Sequence, residues 1–226
     1  MQGKAASFFV AEWGNHRVCE WDIATGLFKK VMHLPSLRFP TCLSMSPDEK
    51  LLAVSDWGNH QVILLNTLGG SCLRIIKGVS NSLATENFIH PVCVSFAPDG
   101  RHIAVGDLIH FKVVIIECFA PDGLHDSDDM SLCVQTVDLG TSAGQTLCSI
   151  AFDPCNCGVI FIHQGDVVRA IYLDHPSVLY KSDFALGPGA STECSAVGIA
   201  IDAKSGRIAI AERCAATFSR VHILYS

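Results

Sequence analysis

The sequence predicts an all-β protein built from repeated four-stranded antiparallel units, and three observations carry that reading. A heptapeptide occurs twice, as Glu-Trp-Gly-Asn-His-Arg-Val over 12–18 and Asp-Trp-Gly-Asn-His-Gln-Val over 56–62, spaced 44 residues apart. That is the length of a supersecondary unit. A second segment occurs four times, as TCLSMSPDEK from Thr41, VCVSFAPDGR from Val92, CSIAFDPCNCG from Cys148 and VGIAIDAKSG from Val197. No stretch combines sustained helical periodicity with caps, which sets aside a doubly wound α/β arrangement.

Within the second segment the side chains alternate with the period-two pattern of a strand. Small residues fill one set of columns, Cys42, Cys93, Ser149 and Gly198, then Ser44, Ser95, Ala151 and Ala200. Large apolar residues fill the other, Leu43, Val94, Ile150 and Ile199, then Met45, Phe96, Phe152 and Ile201. A strand with one small and one large face suits the innermost position of a crowded stack. The Pro-Asp-Glu-Lys and Pro-Asp-Gly-Arg runs that follow are turn chemistry. Next come LLAVSD from Leu51, HIAVGD from His102 and RIAIAE from Arg207, each ending in an acid. A short loop leads to QVILLN from Gln61, KVVIIE from Lys112 and RVHILY from Arg220. A fourth strand is read in LFKKVM from Leu27, CLRIIKG from Cys72 and LCVQTVDL from Leu132.

Strands such as LLAV and VVII are apolar on both faces, so each sheet needs cover on both sides. Radial stacking of four-stranded blades supplies it. The expected fold is therefore a β-propeller of about five blade repeats in a single domain, with units near 7–40, 41–91, 92–146, 147–195 and 196–226. The first unit starts at its second strand and the last ends at its third. A piece of a longer six-bladed ring or an open arc is favoured over a five-bladed ring with unusual closure. Open blade edges would invite self-association.

Composition bounds the rest. With 49% hydrophobic and 17% charged residues the 226-residue chain can bury a large core. Mean hydropathy is +0.35, yet no apolar run approaches the roughly 18 to 20 residues of a spanning helix, and the amino-terminal stretch lacks the apolar core of a signal peptide. Eleven cysteines lie scattered beside Val, Leu and Ile. They read mostly as buried thiols in a reducing compartment, and a cytoplasmic location is expected. A net charge of −6 disfavours nucleic acid and anionic lipid as partners. Lys29, Lys30 and Arg38 are the nearest approach to a basic patch, read as solvated loop charges.

The unit now spelled out resembles the NHL repeat: Pro, a small-apolar strand, a Pro-Asp-Gly turn, an apolar strand ending in Asp, then Gly-Asn-His-Arg-Val. Here it is carried by Pro40, Asp48 and Asp56 to Val62, and more loosely by Pro91, Asp99, Gly100, Asp107 and Val113; Glu12 to Val18 matches best. Units after residue 147 keep the strands and lose the Asn-His signature. The resemblance implies a propeller of NHL or YWTD kind, usually six-bladed, and says little about function.

Candidate site residues follow from the same repeat. His16 and His60, with Asn15 and Asn59, recur at a fixed place and read as hydrogen-bonding closures of the loop between second and third strands. Glu12, Asp56, Asp107 and Glu212 read as acids accepting N–H bonds from the loop that follows them. Trp13 and Trp57 stand in equivalent loops and are the candidate partner-binding residues, weighed against packing on a neighbouring blade. Cys155 and Cys157 form a Cys-x-Cys pair without a second pair at finger spacing. His125, Asp126, Asp128 and Asp129 lack the Gly and distal Glu of a calcium loop. Neither a Gly-x-Ser-x-Gly elbow nor a phosphate-cradling Gly-x-x-x-x-Gly-Lys occurs. No cofactor, metal or catalytic residue is assigned. The leading expectation is a scaffold for a protein or peptide partner. A metal-dependent propeller lyase or hydrolase with its site at the central channel, and an RNA-binding NHL module, are the alternatives.

Overall fold

The computed structural model describes residues 6–32, 34, 36–78, 88–118, 133–139, 147–164, 167–173, 182–185, 194–202, 204–205, 207–214 and 220–224. Among them, five antiparallel sheets follow one another along the chain. The first contains β1 (Ser7–Glu12), β2 (Arg17–Asp22) and β3 (Phe28–Val31). The second contains β4 (Pro40–Met45), β5 (Leu51–Asp56), β6 (Gln61–Asn66) and β7 (Cys72–Lys77). The third contains β8 (Pro91–Phe96), β9 (His102–Asp107), β10 (Lys112–Glu117) and β11 (Cys133–Asp138). The fourth contains β12 (Leu147–Asp153), β13 (Asn156–Gln164), β14 (Val167–Tyr172) and β15 (Ser182–Ala185). The fifth contains β16 (Cys194–Ile201), β17 (Ile208–Cys214) and β18 (Arg220–Leu224). Each sheet is a simple meander, every strand pairing with its sequence neighbour. No helix among the described residues is long and apolar enough to cross a membrane.

The strands expected from alternation are present, most with the expected bounds. The turn chemistry explains the hairpins. Asp99 Oδ1 accepts from the N–H groups of Arg101 (2.8 Å) and His102 (3.1 Å), and Gly100 takes φ +68°. The corresponding second-sheet turn places Glu49, not glycine, at φ +60°, and Asp48 Oδ1 accepts from Ser46 Oγ at 2.7 Å. One feature escapes the alternation pattern. In β4, β8, β12 and β16 the register shifts at the same place, between Pro40 and Cys42, Pro91 and Cys93, Leu147 and Ser149, and Ala196 and Gly198. A bulge there sharpens the local twist where the first strands crowd together.

The sheets stack in chain order, β4 beside β8, β8 beside β12 and β12 beside β16, with β1 against β4. The large columns of these first strands face the preceding sheet. Leu43 and Met45 join Val18, Leu52, Val54 and Ile63 between the first and second sheets. Val94 and Phe96 join Ala53, Val62, Leu64 and Phe88 between the second and third. Ile150 and Phe152 join Cys93, Ala104 and Val113 between the third and fourth. The small columns face the following sheet and do more than make room. Ser44 Oγ accepts the backbone N–H of Phe96 (2.9 Å), Ser95 Oγ that of Phe152 (3.1 Å), and Ser149 Oγ that of Ile199 (3.2 Å).

None of Cys19, Cys42, Cys72, Cys93, Cys118 and Cys155 is in a disulfide. Burial pushes the Cys118 thiol up to about 12, which makes it an inert apolar filler.

Two positions test this packing. The buried Ser55 Oγ has no hydrogen-bond partner among the described residues, so Ser55→Ala should be neutral or stabilising by up to about 1 kcal/mol. At Gly78 a Cβ would stand 1.8 Å from the Phe88 carbonyl oxygen. Gly78→Ala should therefore lower the urea midpoint, whereas Gly14→Ala, with nothing within 4 Å of the added Cβ, should leave it nearly unchanged.

Candidate functional site

The site is built from the turn that joins the second and third strands of a unit. In the first two sheets the sequence after the acid is Trp-Gly-Asn, and it closes into one 3-10 turn over Trp13–Asn15 and Trp57–Asn59. The next residue, His16 or His60, adopts left-handed geometry at φ +53° and +54°, its N–H reaching the Trp carbonyl at 3.4 Å. The third sheet keeps the left-handed closing residue on a plain turn: Leu108, Ile109 and His110 follow Asp107, and Phe111 takes φ +50°.

The acid is the anchor of each turn. Asn15, Asn59 and His110 occupy the same turn position, and each side chain bonds its own acid at 2.7, 2.7 and 2.6 Å. Glu12 also accepts from Arg17 Nε (2.6 Å) and the Cys19 thiol (3.3 Å). The Arg17 guanidinium, with Asn15, lowers its pKa to about 2. Asp56 is fully buried and accepts Gln61 Nε2 at 2.6 Å. Its other oxygen takes the Arg38 backbone N–H at 2.8 Å. Asp107, equally buried, takes the Ile89 N–H at 3.0 Å and the N–H groups of Ile109 and His110 at 2.8 and 3.1 Å. Among the described acids, only Asp107 thus receives backbone bonds from the loop after it. Asp56 and Asp107 both reach to the linker entering their own sheet. The Glu212 side chain lies outside the described residues.

The histidines act between sheets. His16 Nδ1 accepts the Phe39 N–H at 3.1 Å, and His60 Nδ1 accepts the His90 N–H at 3.3 Å. Each entering linker is therefore held twice, at residue 38 or 89 by the acid of its own sheet and at residue 39 or 90 by the histidine of the sheet before. His90 Nδ1 meets the Trp57 carbonyl at 3.2 Å, so that nitrogen carries the proton, the reverse of His60. Phe39 and His90 themselves stand at φ +54° before Pro40 and Pro91, a strained conformation held by these bonds.

Ring packing follows the same path. Trp13 lies 4.7 Å from Phe39, Phe39 meets Trp57 edge-on at 6.1 Å, and Trp57 stacks on His90 at 4.2 Å. His16 and His60 add edge contacts to Phe39 and His90, at 4.3 and 4.2 Å. Both tryptophans thus pack on the linker of the next sheet, and Trp13 remains 54% exposed. No family model and no curated protein matches this chain. The residues missed by reasoning from sequence are Phe39 and His90; the signal available was an aromatic ring immediately before each strand-opening proline.

The other candidates come together less. Lys29 is tied to Ser7, Glu20 and Asp22, and Lys30 to Glu20, beside a cavity of about 490 Å³ between the first two sheets. Arg38 lies elsewhere, its guanidinium 5.7 Å above the Phe39 ring. Cys155 is exposed in a tight turn, and the Cys157 side chain lies outside the described residues, as do His125, Asp126, Asp128 and Asp129. Among the described residues no group of three or more His, Cys, Asp or Glu side chains is placed to hold a metal ion.

Removing the buried acid should expose the clamp's worth. Asp56→Ala leaves the Arg38 N–H and the Gln61 amide without their acceptor, while the Asn59 amide keeps the Ser36 carbonyl at 2.6 Å, a cost of roughly 3 kcal/mol, read as a lowered midpoint in urea.

Burial, and secondarily the His90 ring, lowers the His60 pKa, so the fold favours the neutral ring. That contribution is present above the ordinary histidine range and is lost as pH falls through about 6.5. Wild type should lose stability between pH 7 and 5.5 relative to His60→Phe. A separate loss, from Glu12 and Asp48, sets in as pH falls from the ordinary carboxylate range toward about 2.

Proposed function

We propose that the chain folds as a propeller-type array of NHL-like repeats and that it serves as a scaffold for a protein or peptide partner. Support for the propeller comes from the equivalence of the units. Each repeats the meander, and the four with a small-faced first strand share the bulge there. Successive units meet through their first strands. Support for the scaffold comes from one observation, the row of Trp13, Phe39, Trp57 and His90 that crosses from the first sheet to the third along the turns. Rigid aromatic side chains held in place before a partner arrives lose little entropy on binding, and Trp is frequent among the residues that dominate interfaces. The strand-ending acids, by contrast, are spent on holding the turns.

Capture of protein partners by immobilised full-length chain provides the test. The double variant Trp13→Ala, Trp57→Ala should keep its circular-dichroism spectrum and lose at least one partner retained by wild type. Unchanged capture of every partner would remove the aromatic row from the binding face.

A further inference from the structure

One exposed cation, Arg38, stands at the row without an ion pair among the described residues. Over the whole sequence acids exceed bases, for a net −6, and at this face the oxygens of the strand-ending acids are taken up by donors of the turns and linkers. Asp56 and Asp107 are fully buried under their donors, and Glu12 accepts three side-chain bonds. The position of Arg38 is set in advance. Gly58 lies so close beneath it that a Cβ there would stand 2.7 Å from Arg38 Cγ and 2.9 Å from its carbonyl oxygen. The aliphatic stem therefore runs over the backbone of the second turn and delivers the guanidinium above Phe39. Trp13, which also packs on Phe39, offers the most exposed ring of the row.

Resting on the scaffold reading above, we infer that this face takes an acidic peptide, with an apolar side chain against Trp13 and an adjacent carboxylate on Arg38. The guanidinium fork matches a carboxylate in two parallel bonds, and Phe39 beneath it limits the water that competes for them. Bases of a single strand would need open ring faces to stack on. In this row Trp57 is stacked on His90 and Trp13 alone is exposed, so a run of open faces is lacking, which favours the peptide over RNA.

Fluorescein-labelled peptides with a central Phe flanked by Glu, Ser or Lys, together with oligouridylate, serve as probes for anisotropy titration of the full chain. The Glu-flanked peptide should bind roughly tenfold tighter than the Ser-flanked one, a preference that shrinks at high salt. Arg38→Gln should erase that preference and leave the Ser-flanked affinity in place. Gly58→Ala, which displaces the stem, should reduce it, and Gly14→Ala should not. Equal binding of Glu- and Lys-flanked peptides, an unaffected preference in Arg38→Gln, or tighter binding of oligouridylate would overturn the inference. If no acidic peptide binds while the Trp13, Trp57 pair still governs partner capture, the acidic specificity is wrong and the scaffold reading stands. If the pair governs nothing, both fall.

Discussion

The edge of each sheet's first strand is the constraint on which the rest depends. Strands covered on both faces still leave a row of backbone donors and acceptors at the margin, and in a stack that margin is crowded by the next sheet rather than bathed in water. Here the neighbour answers group by group. The Phe96 N–H goes to Ser44 Oγ, the Pro91 carbonyl accepts Thr41 Oγ1 at 3.1 Å, and the Val94 carbonyl accepts the Cys42 thiol at 3.6 Å. Small polar side chains on β4 are thus required twice over, for approach and for pairing. Large ones on the opposite face fill the space to the preceding sheet, and the polarity of the stack follows from that division.

The turns add a second link between neighbours at the margin of the sheets. A buried acid and a left-handed histidine grip adjacent residues of one linker from two different sheets, so neither sheet can shift without breaking bonds of the other. Such arrays behave as chains of nearest-neighbour contacts. The strain at Phe39 and His90 is tolerated because both adjacent N–H groups of the linker are held.

Most of the strand plan was legible from residues alone, because apolar alternation and Pro-Asp turns are local properties. β5, β6, β9 and β10 have the bounds that LLAVSD, QVILLN, HIAVGD and KVVIIE imply. The small and large columns were legible too, but not their hydrogen bonds, since Ser44 and Phe96 lie 52 residues apart in sequence. The same limit hid the true reach of His16 and His60. Their recurrence pointed to a structural role, and only the fold brings Phe39 and His90 to their rings. The bulges were invisible because one extra residue in a strand leaves no mark in a list of apolar positions. The third turn was masked by substitution, His110 standing where Asn15 and Asn59 stand.

That third turn separates two kinds of information held in the same few residues. Asp107, His110 and Phe111 preserve the acid, its side-chain donor and the left-handed closure, while Leu108 replaces the tryptophan and Ile109 the glycine. Shape survives while surface is rewritten. A turn of this kind works as a fixed socket with an interchangeable head. A lineage can therefore revise what one sheet displays, ring by ring, at little cost to the stack beneath. In the third unit, then, loss of the Trp-Gly-Asn-His wording is a changed display on a kept meander.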